Sequence, residues 1–365
     1  MSHKITIRDI AHLAGVSTTT VSRVLNNKPD VDPATRERIL QLIAEHDFVP
    51  SVTASGLAGR SRLIGVLVPS FDWPFVPDII SGIAHGMKET SYELILYSVN
   101  ETTREHDEST VIDRILTTQL TAGILAVFPG LLSRQIIGLH KHNFPVVVID
   151  DQEQVLVVPW VSAENEDGAY MAVRHLVRLG HRRIAHIQGP LKHLCSRERH
   201  EGYCRALREQ GIEIDPQLSI EGDFREGTGY QAALTLFSLP SEQRPTAIFA
   251  SSDMMAYGVL SASRECGLRI PDDIALVGFD DIRSSNLIRP ALTTVRQPFF
   301  EMGQQGINVM LSTLNSVQNV QWPPVATPQH ESLRIQLTTR MVVRESCGAS
   351  RSYTGDESVS TSITS

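Results

Sequence analysis

The chain has 365 residues, of which 41% are hydrophobic and 20% charged, and its formal net charge is -8. This is room for two or three domains with ordinary cores, and the overall sign excludes a chain coated throughout with basic residues for nucleic acid. The four cysteines (Cys195, Cys204, Cys266 and Cys347) form no C-x-x-C pair, which argues against a zinc ribbon or a thioredoxin-like centre and suits a reducing compartment. Charges interrupt MSHKITIRDIAHLAGV where a signal peptide needs an apolar core, and no apolar run approaches membrane-spanning length. The expectation is a cytoplasmic chain with no membrane partner.

Three helices are predicted in the first 50 residues. Thr6-Ile7-Arg8-Asp9 fits a capping box, with Ile10, Leu13 and Ala14 as the inward face and Gly15 as the stop. Ser17 reopens a helix as N-cap; Val21, Val24 and Leu25 give its inward stripe, and Asn26-Asn27 ends it. Asp32-Pro33 starts a third helix, with Ile39, Leu42 and Ile43 inward, closed by Pro50. Two helices joined by a tight glycine turn and braced by a third make a helix-turn-helix head.

The second helix spends its opening on Thr18, Thr19 and Thr20, although threonine is a mediocre helix former. Its stripe leaves Thr18, Thr19, Ser22 and Arg23 facing outward. Small hydroxyls and methyls can approach base edges closely, and arginine can grip guanine with two hydrogen bonds. Residues 1–62 hold eight Lys and Arg against six Asp and Glu, so a mildly basic head (+2) sits on a body of charge -10. Such an asymmetry fits nucleic-acid contact by the head.

The linker SVTASGLAGR carries Gly56 and Gly59, each costing about 1 kcal/mol in a helix, so it needs outside contacts to fold. Strands and amphipathic helices then alternate. LIGVLVP precedes a helix to about Thr90; ELILYSV, a helix near 105–118, AGILAVF, a helix near 132–141 and PVVVID follow. The pattern restarts with helices at 164–179, 197–210, 227–238 and 253–266 around RIAHIQG, TAIFA and IALVGFD. Alternation of this kind predicts parallel sheets covered by helices, with ligands bound beyond the strands' C-terminal ends. At those ends stand Trp73 and Phe75, Asp150, Phe224, Ser252 and Asp280, with Arg199 opening a helix. Carboxylates accept from adjacent hydroxyls, arginine donates to oxygens, and an aromatic ring covers an apolar face. From Ser346 onward the Ser/Thr-rich stretch reads as a disordered tail.

TIRDIAHLAGVSTTTVSRVLNN and VDPATRERILQLIAEHDFVPS closely resemble the DNA-binding head of LacI/GalR-family transcriptional regulators. TASGLAGRSRLIGVLVPS, LVRLGHRRIAHIQGP, RHEGYCRALRE, IFASSDMMAYGVL, IPDDIALVGFDD and RPALTTVRQP resemble later landmarks of that family, in the same order, over about residues 5–345. The resemblance implies an α/β fold: an all-α helix-turn-helix head plus a two-subdomain, periplasmic-binding-protein-like effector body with parallel sheets. It implies a head at 1–48, a hinge at 49–61 and a body at 62–345, with subdomains at about 62–162 with 292–322 and 163–291 with 323–345, and a tail at 346–365. The chain would then cross between subdomains near 162, 291 and 322.

The resemblance further implies a homodimeric repressor of sugar uptake or catabolism genes on a near-palindromic double-stranded operator, released by a small effector, here expected to be a sugar. Thr18 and Thr19 match the main base-reading positions and Arg23 a further one. Ser17 and Thr20 hold the helix and the DNA backbone; Thr6, Ser22 and Asn26 complete the head's contact set. Leu57 matches a leucine that wedges into the central base step, flanked by Ala54 and Ala58 as close-approach residues. Gly56 departs from the pattern and weakens the expected hinge helix. The effector set implied is Trp73, Phe75, Asp150, Arg199, Phe224, Ser252 and Asp280; the family often has Asn at the position of Ser252.

Other readings are a corepressor-type regulator sensing a purine or nucleoside, and a transport-type sugar-binding protein, which would need a signal peptide and no DNA-reading head. An enzyme is not expected. Gly227-Thr228-Gly229-Tyr230-Gln231-Ala232 mimics a dinucleotide turn but starts several residues after its strand; His175, His181 and His186 lack zinc-site spacing; no nucleophile elbow or P-loop is present. No cofactor or metal is expected, and the tail carries no leucine heptad, so dimers are expected rather than tetramers.

Overall fold

The computed structural model describes residues 5–25, 28–46, 48, 61–99, 120–151, 158–319 and 333–349. The chain divides at Arg62/Leu63 into two compact units, a head and a body.

The head holds helices α1 (Ile7–Leu13), α2 (Thr18–Leu25) and α3 (Pro33–Glu45). The predicted capping box of α1 is present in full. Gly15 sits at φ +63°, the left-handed turn that ends α1 and that glycine adopts at least cost. Asp32 caps α3 by accepting from the Thr35 N–H at 3.0 Å, with Pro33 in the first turn. Ile10, Ala11, Ala14, Val21, Val24 and Ile39 form the core, with Ile7, Leu25, Leu42 and Ile43 packed against it. Leu13 does not join them; it is 50% exposed. The inward stripe is Ile7, Ile10, Ala11 and Ala14, a full i, i+3, i+4, i+7 face, and Leu13 lies off it. The predicted ends of the second and third helices, at Asn26-Asn27 and Pro50, fall outside the described residues.

The body is built from two six-stranded sheets. The first contains β1 (Leu63–Val68), β2 (Glu93–Ser98), β3 (Gly123–Val127), β4 (Val146–Ile149), β5 (Trp160–Ala163) and β11 (Arg334–Leu337), in the order β11-β5-β4-β3-β1-β2. Every pairing in it is parallel. The second contains β6 (Ile184–Gln188), β7 (Ser219–Glu221), β8 (Ala247–Ala250), β9 (Ala275–Asp280), β10 (Thr293–Arg296) and β12 (Arg340–Val342), in the order β12-β10-β9-β8-β6-β7. It is parallel except for the antiparallel β10–β12 pair.

The helices are α4 (Val76–Gly86), α5 (Ser133–Lys141), α6 (Asn165–Arg178), α7 (Leu194–Arg208), α8 (Glu226–Phe237), α9 (Asp253–Glu265) and α10 (Phe299–Asn319). The central strands are wholly buried, as β3 and β6 are. Helices on both faces of a parallel sheet produce such continuous apolar runs. The first lobe's core joins β1, β3 and α4 to α10; the second has two cores, one on each side of its sheet.

Three boundaries differ from the sequence reading. The first crossing lies between β5 and α6. The second follows β10, at 297–298 rather than 291, because Thr293–Arg296 pairs with β9 before the chain leaves. The third lies between β11 and β12, at 338–339 rather than 322, because Arg334–Leu337 first pairs with β5. The tail does not begin at Ser346. Ser346 and Cys347 are buried; Ser346 Oγ donates to the Leu276 carbonyl and accepts from the Thr293 N–H. Polar composition hid this, since the serine hydroxyl completes backbone hydrogen bonding at a strand end. The helix expected near 105–118 lies outside the described residues, as does the tail from 350 onward.

Candidate nucleic-acid interface and effector cavity

In the head, Ser17 Oγ accepts from the Thr20 N–H at 3.1 Å and shares a hydrogen bond with Thr20 Oγ1 at 2.9 Å. Two hydroxyls of the run therefore cap α2 and satisfy one of its free N–H groups. Val21 and Val24 are buried, and Thr18, Thr19 and Arg23 stand exposed. Ser22 is half-buried rather than outward. The Arg23 guanidinium pairs with Asp30 at 2.9 Å, both side chains about half exposed. Thr6 is used in the α1 cap, its hydroxyl donating to Asp9 at 2.7 Å. Asn26, Ala54, Leu57 and Ala58 lie outside the described residues.

In the body, all seven predicted effector residues line one cavity of about 300 Å³ between the lobes. Trp73, Phe75 and Asp150 come from the first lobe; Arg199, Phe224, Ser252 and Asp280 come from the second. Phe75 is at once wall and core: it is buried and stacks on Phe299 at 5.1 Å. Trp73 meets Phe75 edge-on at 5.4 Å and Phe128 at 5.2 Å. Phe224 stands edge-on to Phe128 at 6.2 Å. Gly189 makes room for it, since a Cβ there would come within 2.2 Å of the Phe224 ring.

Opposite the rings, Arg199 is held rigidly. Its Nε donates to Asn165 Oδ1 at 2.9 Å and its Nη1 to the Ser251 carbonyl at 2.7 Å; the guanidinium lies 3.9 Å over the Phe279 ring. Asp280 Oδ1 is 3.8 Å from Arg199 Nη1 and accepts from Gln297 Nε2 at 2.7 Å. Burial pushes the Asp150 carboxyl up to about 7, opposed by Arg199 and reinforced by Asp151 and Asp280. Burial likewise pushes Asp280 up to about 6, against the pull of Arg199 and Gln297. Two carboxyls pushed up by burial and one fixed cation form a polar end that can accept from and donate to neighbouring hydroxyls.

Ser252 has prior duties. Its hydroxyl accepts from the Met255 N–H at 3.1 Å as the cap of α9 and donates to the Phe224 carbonyl at 3.2 Å. It positions the ring more than it offers free hydrogen-bonding capacity.

Four of the six non-glycine residues with positive φ among the described residues line this cavity: Phe128 (46°), Asp150 (73°), Phe224 (68°) and Asp280 (119°). Side chains held in such backbone conformations cost about 1–3 kcal/mol each and gather at functional sites. Phe128, Cys195 and Gln297 also line the cavity and were not anticipated. Phe128 follows β3 and was within reach of the strand-end rule; Gln297 follows β10, a strand the sequence reading lacks. No group of three metal-ligating side chains occurs among the described residues, and no helix there is long and apolar enough to cross a membrane.

A helix-turn-helix head on a two-lobed body with a cavity at the strand ends defines a ligand-responsive DNA-binding regulator. Residues 6–51 match the family "Bacterial regulatory proteins, lacI family", and residues 173–347 match "Periplasmic binding protein-like domain". The chain is 34% identical over 314 residues to the HTH-type transcriptional repressor PurR of Erwinia tasmaniensis, covering 85% of this chain and 91% of that protein. The structure of the Lac repressor dimer bound to operator and the anti-inducer ONPF superposes with a TM-score of 0.78 at 29% identity, covering 94% and 99% of the two chains. The transcriptional regulator CelR–cellobiose complex superposes with a TM-score of 0.68 at 30% identity, over 94% and 99%. The chain belongs to the lacI family of bacterial regulatory proteins: it is a DNA-binding transcriptional repressor.

Proposed function

We propose that this repressor binds a near-palindromic operator as a homodimer and is released when a small sugar fills the body cavity. One observation carries the effector reading: seven side chains separated by up to 207 positions, from Trp73 to Asp280, meet around a single cavity. Its chemistry favours an uncharged polyol. Among the charged residues that line it, Asp72, Asp150, Glu226 and Asp280 outnumber Arg199 and Arg225, which disfavours a phosphate, whereas hydroxyls can bridge Asp150, Arg199 and Asp280. The aromatic wall of Trp73, Phe75, Phe128 and Phe224 covers the apolar face of a sugar ring. A cavity of about 300 Å³ falls at the lower end of the roughly 300–1,000 Å³ of small-molecule sites, in keeping with a mono- or disaccharide. The CelR structure contains cellobiose, in keeping with this reading.

On the DNA side, Thr18 and Thr19 read base edges in the major groove, Arg23 reads or grips beside them, and Ser17 and Thr20 present the helix N-terminus to phosphate. Effector and operator are coupled through the lobes, with a coupling of about 1–3 kcal/mol that acts in both directions. A nucleoside is the second reading, favoured by the same aromatic wall beside hydroxyl-binding groups.

A thermal-melt panel of sugars, sugar phosphates, nucleosides and purines tests the effector class. Ligand at about 100 times its dissociation constant adds about 2.7 kcal/mol, which raises Tm by several degrees. A shift with a neutral sugar and none with its phosphate is expected. A shift confined to nucleosides or purines replaces the sugar reading, and a shift confined to phosphates overturns the charge argument.

A further inference from the structure

Outside the cavity lining, the lobes are joined by a buried pair. Asp151 follows β4 in the first lobe; His193 precedes α7 in the second. Asp151 Oδ2 accepts from His193 Nδ1 at 2.6 Å, and its Oδ1 accepts from the Cys195 N–H at 2.8 Å. Both side chains are buried, with 1% of Asp151 and 7% of His193 exposed.

Helix α7 has no acidic residue in its own first turn and no cap bond from His193, which occupies its N-cap position. The carboxylate that satisfies its first turn therefore comes from the other lobe. The His193 ring in turn packs 4.8 Å from Phe128 of the first lobe and 6.0 Å from Phe224 of the second, both cavity-wall residues. One turn along α7 stands Arg199. Rotating the lobes apart would uncap α7, strip a buried pair and part the Phe128–His193 contact together.

We propose that Asp151 and His193 form an interlobe clasp that holds the cleft closed without ligand and fixes the register of α7, and hence of Arg199, against the first lobe. They are positioning residues. The proposal deepens the reading of the cavity as an effector site and rests on it. An empty body is then poised near its closed state, and ligand adds to a closure that the clasp has begun.

Cys195 supplies the readout. Its thiol is buried and lines the cavity, whereas Cys204 and Cys347 are buried within the second lobe. Burial, followed by the Asp151 carboxylate, holds the Cys195 thiol above its usual range. Asp151→Ala would therefore change its reactivity as well as its access, and His193→Ala, which leaves the carboxylate, is the second variant. The full-length protein, without added ligand, is labelled with N-ethylmaleimide at fixed pH and each cysteine is followed by mass spectrometry. Hydrogen exchange of the first turn of α7 is measured in parallel.

Both variants should speed Cys195 labelling and first-turn exchange by about tenfold, the scale of losing a cap and a charged hydrogen bond, with Cys204 and Cys347 unchanged. Unchanged Cys195 labelling in His193→Ala, together with unchanged exchange in both variants, would overturn the clasp. So would parallel acceleration at all three buried cysteines, which would make the pair a support of the whole fold. Operator affinity of the same variants separates the two readings: if the cleft opens and DNA binding does not change, the clasp stands and the allosteric reading of the body fails.

Discussion

The head and the body do their work with opposite use of the chain. In the head, the polar groups that cap the helices are local: Thr6 with Asp9, Ser17 with Thr20, and Asp32 with Thr35 are all three residues apart. In the body, the groups that position the cavity are distant: Arg199 is held by Asn165 and the Ser251 carbonyl, and Asp280 by Gln297. Local devices leave a periodic trace in the sequence. Long-range ones leave only residue types at strand ends. A change in the head should therefore act through helix stability and DNA contact, and a change in the body through a network.

The largest expected effect is in the body. Arg199→Ala removes the buried cation that opposes the upward shift of both Asp150 and Asp280, carboxyls that burial has already pushed up. Effector affinity should fall at least about a hundredfold, since truncating one member of a buried charge set costs about 3–5 kcal/mol. Titration with the ligand that shifts Tm in the melt panel measures this. Operator binding without effector should change much less; equal losses on both sides would mean that Arg199 serves the fold rather than the ligand.

Next comes Thr19→Ala in the head. A threonine contact falls at or below the low end of the about 1–3 kcal/mol of a bidentate base pair, so operator affinity should fall roughly five- to tenfold while the body's Tm and effector affinity stay as they were. Random-sequence DNA should be bound almost unchanged. A uniform loss across sequences would move Thr19 from base reading to phosphate contact.

The contrast also explains what could be read in advance. The three head helices, their caps and nearly all of their core were legible because each is a short pattern with a physical cause. Leu13 was misread because two apolar faces compete over α1, and only packing decides. The alternating body and all seven cavity residues were legible, the first from alternation and the second from strand ends together with the family resemblance. Strands β10, β11 and β12 were not, because they are three or four residues long and carry Thr, Arg and Gln. With them went the crossing points and Gln297. The Asp151–His193 pair was invisible for a different reason: nothing in a sequence ties residue 151 to a helix that starts at 194.

A third effect separates the regions by pH. Asp150 and Asp280 hold protons in the fold to about 7 and about 6, well above their unfolded values near 4. Between about pH 4 and 7 the folded body binds more protons than the unfolded chain, so these two groups make it less stable as pH rises. A sugar that donates hydroxyls to the ionised carboxyls should bind more tightly over the same rise, because it favours the deprotonated form. These two groups should therefore pull the body's Tm down from pH 5.5 to 7.5, against buried histidines such as His186 whose lowered pKa acts the other way, while the ligand-induced shift grows. Operator affinity measured with excess effector absent should not follow this curve. A ligand shift that shrinks with pH would mean that the protonated carboxyls donate to acceptors on the ligand.

The smallest effect tests how Arg23, which we propose contacts DNA, is restrained. Arg23 and Asp30 pair at 2.9 Å with 55% and 49% of their side chains exposed. Such a pair contributes about 0–1 kcal/mol and is screened by salt, so it can only bias Arg23, not hold it. If Arg23 must leave Asp30 to reach a base or phosphate, Asp30→Asn removes both the competing partner and an anion near the DNA. Operator affinity should then rise two- to fivefold at low salt, with the gain fading as salt is added. If Asp30 instead holds the guanidinium in its reading pose, the same substitution weakens binding, most at the base Arg23 contacts. The sign of that small change, measured at two salt concentrations, decides whether an exposed ion pair masks the reading arginine or aims it.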